Sequence, residues 1–161
     1  MRIAVISDIH DHLEPLRRAL ELVGDCEALL CCGDVCAPIT LREMAQHFAG
    51  PIHVVKGNND GDMLFMGQVA REAGNVTLHG EYGEVELAGR KIAFVHYPRL
   101  AEGLAALGDY DLVCHGHDHI ARQVWVGKTL LLDPGEIMGW RGRRSCAVYD
   151  TETGEAEILE L

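Results

Sequence analysis

Arg2-Ile3-Ala4-Val5-Ile6-Ser7-Asp8-Ile9-His10 decides how the rest of the chain is read. Four apolar residues in a row, then a hydroxyl, a carboxylate and, two residues on, an imidazole, mark a strand that ends on chemistry. A run that is apolar at every position suits a strand covered on both faces. Polar groups directly after such a run lie at its carboxyl end, where open α/β sheets gather their ligands.

Two further runs repeat the pattern. Ala28 to Cys32 leads into Gly33-Asp34, and Ile52 to Lys56 leads into Gly57-Asn58-Asn59-Asp60. Between the first two strands Leu13, Leu16, Leu20 and Val23 recur at helical spacing, with Pro15 in the first turn, where its missing N–H does no harm. A second helix is predicted over Thr40 to Phe48, with Thr40 as cap and Glu43 completing a capping box. A third is predicted over Asp62 to Ala73. This alternation of buried strand and amphipathic helix is the mark of βα units on a mostly parallel sheet.

After Gly74 the runs shorten: Val76 to Leu78, Gly83 to Leu87 and Lys91 to His96, with Ala88-Gly89 as a hairpin turn. A helix over Leu100 to Leu107 precedes a buried strand at Leu112 to His115. Strands then follow at Arg122 to Val126, Thr129 to Asp133, Ser145 to Asp150 and Ala156 to Leu159, separated by turns at Gly127-Lys128 and Thr153-Gly154. The expected fold class is α/β, a mixed β sandwich of two sheets flanked by helices, one half mainly parallel and the other mainly antiparallel. At 161 residues the length fits one domain spanning 1–161.

Fourteen Lys and Arg against 25 Asp and Glu give a net charge of −11. A field of that sign repels polyanions, so long nucleic acids are disfavoured partners and a small phosphorylated substrate needs local positive help. No apolar run approaches the ~18 residues of a membrane span, and the amino terminus has no signal-peptide pattern; a cytoplasmic protein with no membrane partner is expected. The sequence leaves open whether the chain forms a homo-oligomer. Of six cysteines, Cys32 and Cys36 have a spacing that could hold a metal, but Cys31, Cys32 and Cys114 lie in apolar runs and read as small buried hydrophobes.

Five strand ends carry the chemistry. To Asp8-Ile9-His10, Asp34 and Asn58 are added His96, directly after Phe94-Val95, and His115-Gly116-His117-Asp118-His119, after Val113-Cys114. Taken singly each has a bland reading. Asp8 could cap a helix, and His117 with His119 could be a loop pair. Taken together, two carboxylates (Asp8, Asp34), four imidazoles (His10, His96, His117, His119) and the Asn58 amide oxygen form a donor set suited to manganese, iron, nickel or zinc. Seven donors exceed the needs of one ion. Two ions ~3.5–4 Å apart, sharing one carboxylate, would use them all, and such pairs catalyse in-line displacement at phosphorus.

The ordered set Asp8-x-His10, Gly33-Asp34, Gly57-Asn58-x-Asp60, His96 and Gly116-His117-x-His119 resembles the calcineurin-like metallophosphoesterase superfamily, in particular its small single-domain prokaryotic phosphodiesterases. The resemblance runs from Ser7 to the loop after Pro134. It implies an α/β/β/α sandwich and two divalent metal ions, with manganese favoured and iron, nickel or zinc as alternatives. One ion would take Asp8, His10, Asp34 and His119, and the other Asp34, Asn58, His96 and His117. A hydroxide between them would attack phosphorus in a small or nucleotide-like substrate.

Three departures bear on the chemistry. Where many relatives have a histidine that protonates the leaving oxygen, this chain has Asn59, beside the expected substrate, and an amide cannot act as a general acid. His12, two residues past His10, is the candidate replacement, and Asp60 reads as a turn-capping acid. Asp133-Pro134-Gly135-Glu136 stands where the family often has Asn-Pro-Gly-Ser, which puts extra negative charge near a phosphate site. Then Trp140-Arg141-Gly142-Arg143-Arg144 supplies Arg141 and Arg143 as candidate phosphate clamps. The rival reading is a non-catalytic interaction scaffold on the same fold, like the retromer subunit that resembles these enzymes. Asn59 favours it, and the complete donor set opposes it. His47, His53, His79 and His115 are expected to be structural.

Overall fold

The computed structural model describes all 161 residues. In chain order the elements are β1 (Arg2–Ile6), α1 (Leu13–Leu22), β2 (Ala28–Cys31), α2 (Pro38–His47), β3 (Ile52–Val54), α3 (Met63–Ala73), β4 (Val76–Leu78), β5 (Tyr82–Leu87) and β6 (Arg90–Val95). They continue with α4 (Pro98–Leu107), β7 (Leu112–Cys114), β8 (Arg122–Val126), β9 (Thr129–Asp133), β10 (Ser145–Asp150) and β11 (Glu155–Glu160). Every expected strand and helix is present; β4, β8, β9 and β10 have the expected bounds and the others have ends shifted by a few residues.

One sheet has the order β11-β10-β1-β2-β3-β4 and the other β5-β6-β7-β9-β8. The period of two along each strand separates the apolar layers. Ala4, Ile6, Leu29 and Cys31 face α1, α2 and α3, whereas Ile3, Val5, Ala28 and Leu30 face the opposing sheet and meet Phe94, Leu112, Cys114 and Leu130 there. A third layer joins Ala93, Val95, Val113 and Leu131 to Ala101 and Ala105 of α4. The result is α/β/β/α, as expected.

Two expectations are corrected. The first sheet is mainly parallel, as expected, with β1 to β4 parallel and β10 and β11 added antiparallel, but the second is not mainly antiparallel: β6, β7 and β9 are parallel, and only β5 and β8 pair antiparallel at its edges. Local pattern carries no information on which distant edge a late strand will join. The second correction concerns α2, which starts at Pro38, so that Thr40 lies inside the first turn and there is no capping box. Asp11, from the loop after β1, caps it instead: its Oδ1 accepts the Ala37 N–H at 2.9 Å and the Thr40 hydroxyl at 2.5 Å.

The residues expected to be structural are so placed. His47 lies 2.9 Å from the Glu43 carbonyl in the last turn of α2, and His53 meets His79 ring to ring at 3.0 Å. Cys32 packs between the sheets among apolar side chains, as a small buried hydrophobe.

At the end of β9, Asp133 is fully buried with His115 at 3.4 Å. Burial pushes its carboxyl up to about 8. The unfolded carboxyl titrates near ~3.9, so between that pH and about 8 the folded chain holds a proton that the unfolded chain has released. Stability from this group is therefore present at low pH and lost as pH rises through that window. Asp133→Asn keeps an acceptor for the Gly135 N–H and should melt several degrees above the unsubstituted chain at pH 8, with the gap closing towards pH 4. A constant gap across the range would show that Asp133 is ionised in the folded state.

Candidate active site

The site is built on backbone that most residues avoid. Asp8, His10, Asp34, His117 and His119 all have positive φ, from +47° to +74°, a region costing L-residues about 1 kcal/mol or more each. Hydrogen bonds between loops hold it. The Asp8 N–H donates to the Gly33 carbonyl at 3.2 Å and the His10 N–H to the Asp34 carbonyl at 3.0 Å. Asp60 accepts three backbone N–H groups, from Gly57 (2.7 Å), Cys36 (2.7 Å) and Asp34 (3.2 Å). Two glycines make room for carboxylates: a Cβ on Gly57 would drive into the Asp34 carboxylate, and one on Gly116 would stand 2.6 Å from Asp8 Oδ2.

Seven side chains converge. His10 Nε2 lies 3.7 Å from Asp8 Oδ1 and 3.4 Å from Asp34 Oδ2, and His119 Nε2 lies 3.2 Å from Asp8 Oδ1. On the other side, His96 Nε2 lies 3.5 Å from the same Asp34 oxygen, and both His96 Nε2 and His117 Nδ1 lie 2.9 Å from Asn58 Oδ1. Asp34 thus stands between two groups, Asp8 with His10 and His119, and Asn58 with His96 and His117. Asp8 is no helix cap; its Oδ2 accepts the His117 N–H at 3.0 Å.

The rings are oriented from behind. His96 donates Nδ1–H to the Cys32 carbonyl at 2.8 Å, and His119 donates Nδ1–H to Glu136 Oε2 at 2.7 Å, which leaves each Nε2 with a lone pair aimed inwards. Those lone pairs face oxygen lone pairs, on Asn58 and on Asp8. Asp8 Oδ1 and His10 Nε2 are buried without a hydrogen-bond partner. Acceptor facing acceptor is repulsive unless positive charge lies between them, and buried polar atoms rarely go unpaired. Divalent cations supply that charge, and this donor chemistry fits them. Burial works to raise the Asp8 pKa, but His10, Ser7, His96 and His119 outweigh it and hold the carboxyl below the usual range. Asp8 in turn raises the His10 pKa against the effect of burial.

The calcineurin-like phosphoesterase superfamily domain, as a family model, matches residues 1–154. The chain belongs to that superfamily. This calcineurin-like phosphoesterase is 29% identical to the phosphodiesterase MJ0936 of Methanocaldococcus jannaschii, over all of this chain and 99% of the other. A solved archaeal phosphodiesterase superposes with a TM-score of 0.93 at 28% identity, over the whole of both chains. Vps29 of Entamoeba histolytica, solved with zinc, shares the fold at a TM-score of 0.69 and 19% identity, over all of this chain and 98% of that one. As a member of the superfamily the chain is a hydrolase of phosphate esters, and such enzymes generally work with divalent metal ions.

Around the seven residues of this phosphoesterase the structure adds detail that spacing did not show. Glu136 does not bring charge to the substrate side: fully buried, it holds His119 and accepts the N–H groups of Trp140 (2.8 Å) and Arg141. Its carboxylate follows Gly135 at the end of a strand, which was the available signal. Asn59 clamps Asp34, through its N–H to Oδ1 at 2.8 Å and its Nδ2 to Oδ2 at 2.7 Å. His12 is exposed at the start of α1; its Nδ1 is held by the His10 backbone carbonyl at 2.8 Å, and its ring bonds none of the seven side chains. Cys36 Sγ lies 3.7 Å from His10 Nδ1. Arg141 and Arg143 border a cleft of about 360 Å³ beside His119, and Arg143 also reaches Glu160 at 3.5 Å. No helix is long and apolar enough to cross a membrane.

Proposed function

We propose that the chain is a binuclear phosphodiesterase acting on a small or nucleotide-like diester. The observation that carries this reading is the convergence of two donor groups on the two sides of Asp34, with Asp8 Oδ1 and His10 Nε2 buried and unpaired in one of them. One ion would be held by Asp8, His10, Asp34 and His119, the other by Asp34, Asn58, His96 and His117, with manganese favoured over iron, nickel or zinc. When bound, the ions would draw charge from the phosphoryl oxygens and acidify the attacking water. Water then adds to phosphorus and one P–O ester bond opens.

The chain's own residues set the geometry. Asn59 fixes Asp34 and is exposed, so its second Nδ2 hydrogen, which bonds nothing in the protein, would serve a substrate phosphate oxygen. His12 keeps Nε2 free for the leaving oxygen, since its Nδ1–H goes to the His10 carbonyl. The net charge of −11 selects short substrates over long nucleic acids. The cytoplasmic reading made from the sequence is supported by six thiols that are all unpaired, as a reducing compartment keeps them. The scaffold alternative has the Vps29 fold and Asn59 in its favour, but a pure scaffold has no use for orphaned buried donors.

A manganese-supplemented screen of monoesters, diesters, cyclic nucleotides and short nucleic acids tests the proposal, with Asp34→Asn as the control. Turnover of diesters alone, lost in the variant, is the expected outcome; no turnover of any ester by the metal-loaded chain would favour the scaffold. Arg141→Ala and Arg143→Ala should mainly raise KM, because phosphate clamping is common to ground and transition states. Unchanged kinetics in both single variants and the double would remove these arginines from the site.

A further inference from the structure

Nine aromatic residues occur in the chain, and two of them stand against the imidazoles of the site on opposite sides. Tyr97 packs edge-on against both His96 and His117, with ring centroids 5.2 Å away in each case. Trp140 packs edge-on against His119 at 5.5 Å. Each ring therefore abuts a different donor group. Neither is consumed by that contact: Trp140 is 72% exposed and Tyr97 38%. Large exposed aromatic surface at the mouth of a polar site is costly to leave in water and is the usual means of holding a planar ligand.

Beside His119, whose ring Trp140 abuts, a cleft walled by Ile120, Ala121 and Ile158 and edged by Arg141, Arg143 and Glu160 leaves room for an ester arm on that side of the site, although Trp140 itself does not line it. The Arg141 guanidinium lies over one face of the indole, 5.7 Å from its centroid, so the opposite face of this exposed ring is the one left for a planar group. A phosphorus held between the two donor groups would direct one ester arm towards Tyr97 and the other towards Trp140. We infer that the site takes a phosphodiester carrying an aromatic ring on each side of phosphorus, a dinucleotide in its biological form, with Tyr97 receiving one ring and Trp140 the other. This rests on the phosphodiesterase reading above. It adds that both arms are recognised, and that they are recognised by stacking. Stacking needs no base-specific hydrogen bonds, so all four bases are accepted.

The test uses two diesters that release the same nitrophenolate, bis(p-nitrophenyl) phosphate and methyl p-nitrophenyl phosphate, with the manganese-loaded enzyme. Tyr97→Leu and Trp140→Leu should each raise KM for the bis-aryl ester by about fivefold or more, as loss of one stacked ring does. The double variant should lose more, kcat should stay within about twofold, and the methyl ester should respond to one variant at most. Tyr97→Phe should restore the bis-aryl KM. A readout independent of turnover comes from the Trp125→Phe chain, in which Trp140 is the sole tryptophan. The methylphosphonate analogue of thymidylyl-thymidine, which resists hydrolysis, should quench its fluorescence saturably. Equal KM values for the bis-aryl ester in all variants, with no quenching, would overturn the inference while the phosphodiesterase reading stands. Failure of the unsubstituted enzyme to hydrolyse either diester would remove both.

Discussion

Asp34→Asn should leave the chain folded and take away nearly all hydrolysis together with metal at both positions. Asp34 Oδ2 is the one carboxylate oxygen within 3.5 Å of an imidazole from each donor group, His10 on one side and His96 on the other. An amide in its place removes the charge the two ions would share. In either orientation the amide also turns its NH2 towards one of the two Asn59 donors that now grip the carboxylate oxygens. Residues that merely orient metal ligands cost ~10–100-fold when replaced, and this loss should exceed that range. Elemental analysis of the manganese-loaded proteins, with circular dichroism as the check on folding, decides the matter. Two equivalents of metal are expected in the unsubstituted chain and less than one in the variant. Full occupancy in folded Asp34→Asn, or one equivalent in the unsubstituted chain, would sink the binuclear assignment.

The second large effect concerns the leaving group. Nitrophenolate departs without assistance, whereas an alkoxide needs a proton, and general acid catalysis contributes ~10²–10⁴-fold. With Asn59 committed to Asp34 and unable to donate as an acid, alkyl diesters should be hydrolysed more slowly than aryl diesters by a factor in that range. The rate should fall steeply as leaving-group pKa rises. His12→Ala should deepen the deficit for alkyl esters and spare nitrophenyl esters, if Nε2 of His12 supplies the proton. Asn59→His alone should recover little, because Asp60 is tied down by three backbone N–H groups and has one acceptor position left, on Oδ1, to orient a new imidazole. Rates independent of leaving-group pKa, with chemistry rate-limiting and His12→Ala harmless, would mean that protonation comes from another group.

How much of this could be read from the chain differs between neighbouring residues. Asp8 and His10 announce themselves because they directly follow four apolar residues, and strand ends are a local property of the sequence. The same holds for Asp34 after Ala28 to Cys32, for Asn58 after Ile52 to Lys56, and for His96, His117 and His119. Sheet order aligns the expected donors at the ends of β1, β2 and β3 in one sheet and of β6 and β7 in the other, and the packing of the two sheets brings the sets together. The resemblance implied their grouping around Asp34; the distances that realise it are set only in three dimensions.

By itself the sequence determined the α/β class, the strands and helices to within a few residues, and a set of seven polar side chains at strand ends. Hydrophobic period and strand termination are short-range, and they persist in any context that buries the runs. The tertiary structure alone decided that β10 returns to β1, that Asp11 caps α2, and that Glu136 holds His119 from 17 residues away. It also decided that Asp60 spans the loops of β2 and β3, and that Tyr97 and Trp140 flank opposite sides of the site. Each of these contacts joins segments distant in the chain. The partner of a hydrogen-bonding group or an exposed ring is then set by where the chain crosses itself, and crossing leaves no period in the sequence.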